Sequence, residues 1–178
     1  MKEVLLSRRA AVKSTLLGMV AVSLPNLVRA GGGAAPRLLE EAEIFHRYPS
    51  IDDAIVSTVV GKSHFDLEAV QQLVEPRPEL ARATWDWSFG DWESALGAAS
   101  HVGRRDIANY LIGKGARPTI FTYAMFGKHA AVKAMVQGMP GVQRTAGPHG
   151  IDLLTHARIG AGSKGLSAQE QEDCERTV

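Results

Sequence analysis

The chain repeats itself, and no other feature narrows its fold as far. Residues 69–82 align without a gap on residues 131–144, with Ala69/Ala131, Val70/Val132, Val74/Val136, Pro78/Pro140 and Arg82/Arg144 identical. Leu73/Met135 and Leu80/Val142 keep their apolar character. A second alignment sets Gly103-Arg104 on Gly127-Lys128 and continues through Ile107/Ala131, Ala108/Val132, Leu111/Met135 and Ile112/Val136. One small unit therefore occurs at least three times: a short helix, a glycine, a basic residue, then a second helix with paired apolar residues. A unit of that size cannot bury its apolar face alone, so neighbouring units must stack to make a core.

Local signals place the elements. Leu67, Val70, Leu73 and Val74 share one helical face behind Asp66, a suitable N-cap, and Pro76 and Pro78 end that helix. Gly103 suits the left-handed backbone that closes a helix, and Asp106 is placed to cap the next one. Gly97, Ala98 and Ala99 allow helices to approach closely.

These residues resemble the ankyrin repeat. Ser94, Leu96, Ala99, Gly103, Ile107, Leu111, Ile112, Gly115 and Ala116 fall at the family's spacing, while Ala95 and Gly97 depart from its Pro and His. Gly127 and Gly160 are separated by the family's 33-residue period, but Gly103 and Gly127 by only 24, so a loop is missing or shortened there. A further partial unit runs from Gly150 through Ala157. The resemblance implies an all-α solenoid of roughly three to four helix-turn-helix repeats over residues 51–162. Residues 31–50 then supply a spacer and an N-terminal capping helix, and the polar residues 163–178 form a loose tail. The competing architecture is an irregular helical bundle.

The first thirty residues read as an export signal. Lys2, Arg8, Arg9 and Lys13 precede an apolar stretch from Thr15 to Val28, and Val28-Arg29-Ala30 suits cleavage after Ala30. Ser7-Arg8-Arg9-Ala10-Ala11-Val12-Lys13 resembles a twin-arginine signal, with Ala11 where that pattern has Phe. The stretch is too short and too rich in small residues for a membrane span, so no stable membrane insertion is expected after cleavage, and a periplasmic or other extracytoplasmic location is. Lys+Arg 20 against Asp+Glu 19 nearly cancel, and removing the signal turns the balance acidic. Nucleic acid is therefore not an expected partner. The single cysteine, Cys174, can form neither an internal disulfide nor a multi-cysteine metal site.

Function is expected in the run Trp85-Asp86-Trp87-Ser88-Phe89-Gly90-Asp91-Trp92-Glu93, which holds all three tryptophans. Trp85, Trp87 and Phe89 share a face if the segment is extended. In the resembled family such loops line a binding face. Trp85, Trp87, Phe89 and Trp92 are then anchors for a protein partner, and Asp86, Asp91 and Glu93 set its charge preference. The alternative is that these rings pack down on the repeats. The expected function is thus a non-catalytic protein-interaction module with no cofactor, no metal and no catalytic residue. His101, His149, Asp152 and His156 carry a second reading, a small metal-dependent or hydrolytic enzyme, although no zinc-ligand or Gly-x-Ser-x-Gly spacing supports it. A third is a structural envelope protein anchored by an uncleaved signal.

Overall fold

The structure is a computed structural model that describes residues 51–178. Arg8, Arg9, Ala30 and the expected capping helix lie outside the described residues. Within them the chain is mainly helical. Helices α1 (Asp53–Lys62) and α2 (Leu67–Val74) are followed by a 3-10 turn (Pro78–Arg82) and a two-stranded hairpin, β1 (Thr84–Asp86) and β2 (Trp92–Ser94). Then come α3 (Ala95–His101), α4 (Arg105–Gly113), α5 (Ile120–Met125), α6 (His129–Gly138), two 3-10 turns (Val142–Arg144 and Pro148–Gly150), α7 (Leu153–Ala161) and α8 (Ala168–Thr177). The helices succeed one another as pairs, with α3 packed on α4, α5 on α6 and α7 on α8; the first members α3, α5 and α7 also pack on one another.

The repeated sequence produces repeated backbone. Gly103 and Gly127 both take a left-handed φ, +75° and +69°. After each, the next N–H reaches back to a carbonyl five residues earlier: Arg104 N–H to Ala99 at 2.9 Å and Lys128 N–H to Tyr123 at 2.8 Å. These bonds close the first helix of each pair and aim the second. Asp66, Ser94 and Asp152 cap α2, α3 and α7 by accepting from the backbone N–H groups of Ala69, Gly97 and Thr155. The N-cap position of α4 is Arg104; Asp106 sits in the first turn, where its carboxylate pairs with Arg104 at 2.7 Å and accepts from the Ile107 backbone N–H. No hairpin separates α4 from α5, which is where the shortened period falls.

The core is built from Val59, Val60, Val70, Val74, Leu80, Leu96, Ile107, Leu111 and Met125, interleaved with small residues. Those small residues set the helix spacing. A Cβ placed on Gly160 of α7 would lie 2.1 Å from the Met125 carbonyl oxygen of α5. The hydroxyls of Ser100 and Thr122, both buried, are hydrogen-bonded at 3.1 Å.

The tail differs from expectation. Residues 168–177 form α8, opened by a Ser167/Glu170 capping box, and Cys174 is fully buried against Gly127. The segment is polar because most of α8 faces water. Buried Cys174 and the contact from the Arg105 guanidinium to Glu170 at 3.0 Å help seat it against α5, α6 and α7.

Candidate functional site

The tryptophan-rich run is the hairpin. Thr84, Trp85 and Asp86 pair antiparallel with Ser94, Glu93 and Trp92. The strands are too short to continue the expected alternation. After Asp86 the chain turns: the Asp86 carboxylate accepts from the Gly90 N–H at 3.1 Å, and the Asp91 N–H reaches the Ser88 carbonyl at 3.0 Å. Phe89 and Gly90 both adopt positive φ, +52° and +85°. Phe89 therefore leaves the face of Trp85 and Trp87 and stands entirely in solvent, and Trp92 is 62% exposed.

Neighbouring residues on β2 point to opposite sides, so Trp92 facing out sends Glu93 in. Glu93 is completely buried. It was expected to set surface charge preference, and the pleat excludes that. Its Oε2 accepts from the Trp87 indole N–H at 2.7 Å, which turns Trp87 inward as well, away from the expected anchor role.

Three histidines surround the Glu93 carboxylate. His101, at the end of α3, places Nδ1 3.0 Å from Oε1. His149, in the Pro148–Gly150 turn, places Nε2 3.5 Å from the same oxygen. His64, in the turn between α1 and α2, places Nε2 3.5 Å from Oε2. One ligating atom from each of the four residues falls within 4.8 Å of all the others. The outer nitrogens of two rings are held. His64 Nδ1 lies 3.0 Å from the Gly61 carbonyl, and His149 Nδ1 lies 2.7 Å from the Asp91 carboxylate, which also accepts the His149 backbone N–H at 2.9 Å. A carbonyl can only accept, so Nδ1 of His64 carries a proton, and Nε2 faces the carboxylate.

The electrostatics follow from this arrangement. Burial pushes the Glu93 carboxyl up. Contact with the His101 ring, the Trp87 indole bond and the charges of His64 and His101 outweigh it, holding the carboxyl below the ordinary glutamate range. Asp91 is lowered first by the His149 backbone N–H and then by the His149 ring. Glu93 Oε1 and His101 Nδ1 face each other at 3.0 Å in the interior, and neither has another hydrogen-bond partner.

The second set of residues expected from sequence divides. His101 and His149 join the cluster, whereas Asp152 and His156 serve α7 instead. Asp152 caps the helix, and its backbone carbonyl lies 2.8 Å from His156 Nδ1. Burial lowers the His156 pKa and keeps that ring neutral. Sequence reasoning missed His64 entirely and misplaced Glu93. Comparison with protein-family models, curated proteins and solved structures returns no match, so these residues carry the functional argument.

Beside the hairpin lies a groove of about 380 Å³ between Thr84 and Trp92 on one side and Gly147 and Pro148 on the other, with Phe121 and His156 also lining it.

Proposed function

We propose that this protein is an exported, non-catalytic binding scaffold, a stack of ankyrin-type helix pairs whose first hairpin engages a protein partner. Several features support the ankyrin reading: the paired helices, the matching Gly103 and Gly127 turns, and the hairpin entering α3 behind the Ser94 cap. The twin-arginine-like N-terminus supports export, and no helix among the described residues is long and apolar enough to cross a membrane.

The observation that carries the partner reading is the hairpin tip. Phe89 is a non-glycine residue held in left-handed backbone with its whole ring in water, next to the exposed Trp92. Both features work against stability. Strain of this kind costs about 1–3 kcal/mol and persists only where the surroundings enforce it, which here is the Asp86 and Asp91 bonding of the loop. A rigid loop offering two aromatic rings beside a half-apolar groove loses little entropy when a partner's apolar side chains dock. Phe89 and Trp92 are the anchors, with Asp86, Asp91 and Trp85 shaping the loop beneath them.

The test is a paired capture from the envelope fraction, using the full-length tagged chain and its F89A/W92A double variant, read by quantitative mass spectrometry. A partner recovered at least tenfold less by the double variant, with an unchanged melting temperature, is the expected result. Equal recovery by both chains removes the hairpin from the interface.

A further inference from the structure

We propose that His64, Glu93, His101 and His149 form a binding site for one divalent transition-metal ion of the zinc class. The four residues come from four separate places: the α1–α2 turn, strand β2, the end of α3 and the Pro148–Gly150 turn. Chance rarely brings three imidazoles and one carboxylate to a common point with a single donor atom each inside 4.8 Å. Zinc is held by such nitrogen and oxygen donors at about 2.0–2.2 Å, which sets tetrahedral edges near 3.3 Å. The separations from Glu93 Oε1 to His101 Nδ1 and to His149 Nε2, 3.0 and 3.5 Å, bracket that value.

The hydrogen-bond inventory points the same way. Glu93 Oε1 and His101 Nδ1 are buried 3.0 Å apart and neither has any other hydrogen-bond partner, so this pair alone must offset the desolvation of both groups. With Nδ1 of His64 committed to the Gly61 carbonyl, a neutral ring turns an Nε2 lone pair toward the carboxylate oxygen. The His149 ring, with Nδ1 on Asp91, does the same. Lone pairs facing a carboxylate repel unless a cation stands between them. Protonating all three rings is the other remedy, but it crowds three positive charges against the two carboxylates of Glu93 and Asp91, with ring centroids 4.9, 5.2 and 6.4 Å apart. A single divalent ion satisfies every inward atom at once, and its charge is balanced by the carboxylates of Glu93 and Asp91.

The outer contacts are those of a built metal site. A ligating histidine characteristically gives its other ring N–H to a backbone carbonyl or a carboxylate, which fixes tautomer and orientation. His64 has the first kind of partner and His149 the second. Trp87 occupies Oε2 of Glu93 and so leaves Oε1 as the metal ligand. His149 is held at φ +58°, a strained conformation for a side-chain-bearing residue, and Asp91 secures it by two bonds. Three imidazoles and one carboxylate suit zinc, cobalt(II) or nickel rather than magnesium or calcium, which require oxygen donors. The His64 and His149 side chains are 22% and 35% exposed, so an ion can enter from solvent without unfolding the chain.

The test titrates the purified full-length chain, stripped with a chelator, with zinc by calorimetry and with cobalt(II) by visible absorption, in the absence of any partner. The expected result is one ion per chain with the intense visible bands of four-coordinate cobalt. E93Q and H149A should each weaken zinc binding at least 100-fold. D91N, altering an outer contact, should weaken it about 10–100-fold. H129A, outside the cluster, should leave it unchanged. H149A lies on a surface turn, so circular dichroism of that variant separates lost ligation from lost folding. Absence of stoichiometric uptake by the native chain overturns the site, as does uptake by E93Q and H149A equal to that of the native chain.

Discussion

Replacing Gly160 by alanine tests the helix packing directly, because local propensity and tertiary contact predict opposite signs. Within a helix, glycine to alanine gains about 1 kcal/mol when nothing is nearby. At Gly160 the new Cβ would lie 2.1 Å from the Met125 carbonyl oxygen and 2.8 Å from its carbon. A comfortable carbon-to-oxygen contact is about 3.3 Å, so α7 and α5 must separate by roughly 1.2 Å. The clashing atoms are backbone, so no rotamer offers relief. The Met125 carbonyl is also engaged by the Arg105 guanidinium at 3.1 Å and cannot swing aside freely. A gap of about 1 Å forfeits a quarter to a half of the dispersion energy across an interface. That interface is the cluster of Ile120, Ala124, Leu153 and Ala157. Overpacking costs about 1–3 kcal/mol, and the backbone contact places this case at or above the upper end. After the propensity gain, a net loss of at least ~2 kcal/mol is expected, or a melting temperature lower by roughly 5–15 °C. Gly113→Ala is the control. It lies at the end of α4 with nothing within 4 Å of its added Cβ, and it should gain up to about 1 kcal/mol. Urea unfolding of the two variants measures both. If Gly160→Ala is as stable as the native chain, or gains as Gly113→Ala does, the close α5–α7 crossing is refuted.

Two further outcomes concern α8. The Ser167 N–H and hydroxyl and the Arg105 guanidinium lower the Glu170 pKa from 4.5 to about 2. A depressed carboxyl stabilises the fold fully above its unfolded value and loses that contribution as pH falls from about 4.5 toward 2. The difference in unfolding free energy between the native chain and E170Q should therefore shrink through that window, and a difference that stays flat refutes the contact. Cys174 is fully buried, with its Sγ 2.7 Å from where a Cβ on Gly127 would stand. A thiol reagent followed by absorbance should leave the native chain unlabelled and label G127A rapidly, since that substitution must displace α8. Rapid labelling of the native chain contradicts the docked helix.

The parts legible in the sequence are those governed by short-range rules. Asp66 caps its helix because a side-chain oxygen three residues before an amide can reach it, whatever the tertiary fold. Gly103 and Gly127 close helices because a left-handed residue is needed at that point. Polarity misled the reading of residues 163–178. A helix with one buried cysteine and one ion pair looks like a tail when only composition is weighed. The tryptophan run misled it differently, because its apparent alternation breaks at the Ser88–Gly90 turn, which only the loop's own hydrogen bonds specify.

The histidine cluster marks where linear reading ends. Known metal motifs are recognisable when two ligands sit a helical turn or a tight turn apart, so that one element orients both. Here no element holds two of them. His64 follows α1, Glu93 belongs to β2, His101 ends α3 and His149 lies beyond α6, so their convergence is a property of the stacking. One trace was present in the sequence. Glu93 sits between Trp92 and Ser94 in a strand, and an acid whose neighbour on the strand is an exposed tryptophan must face the protein. A buried carboxylate requires partners, and three of the histidines sit on elements the repeat pattern stacks around that strand. Asking which cations or donors could satisfy Glu93, rather than which histidines are spaced as ligands, leads from the sequence toward His101 and His149 and, through the α1–α2 turn, toward His64.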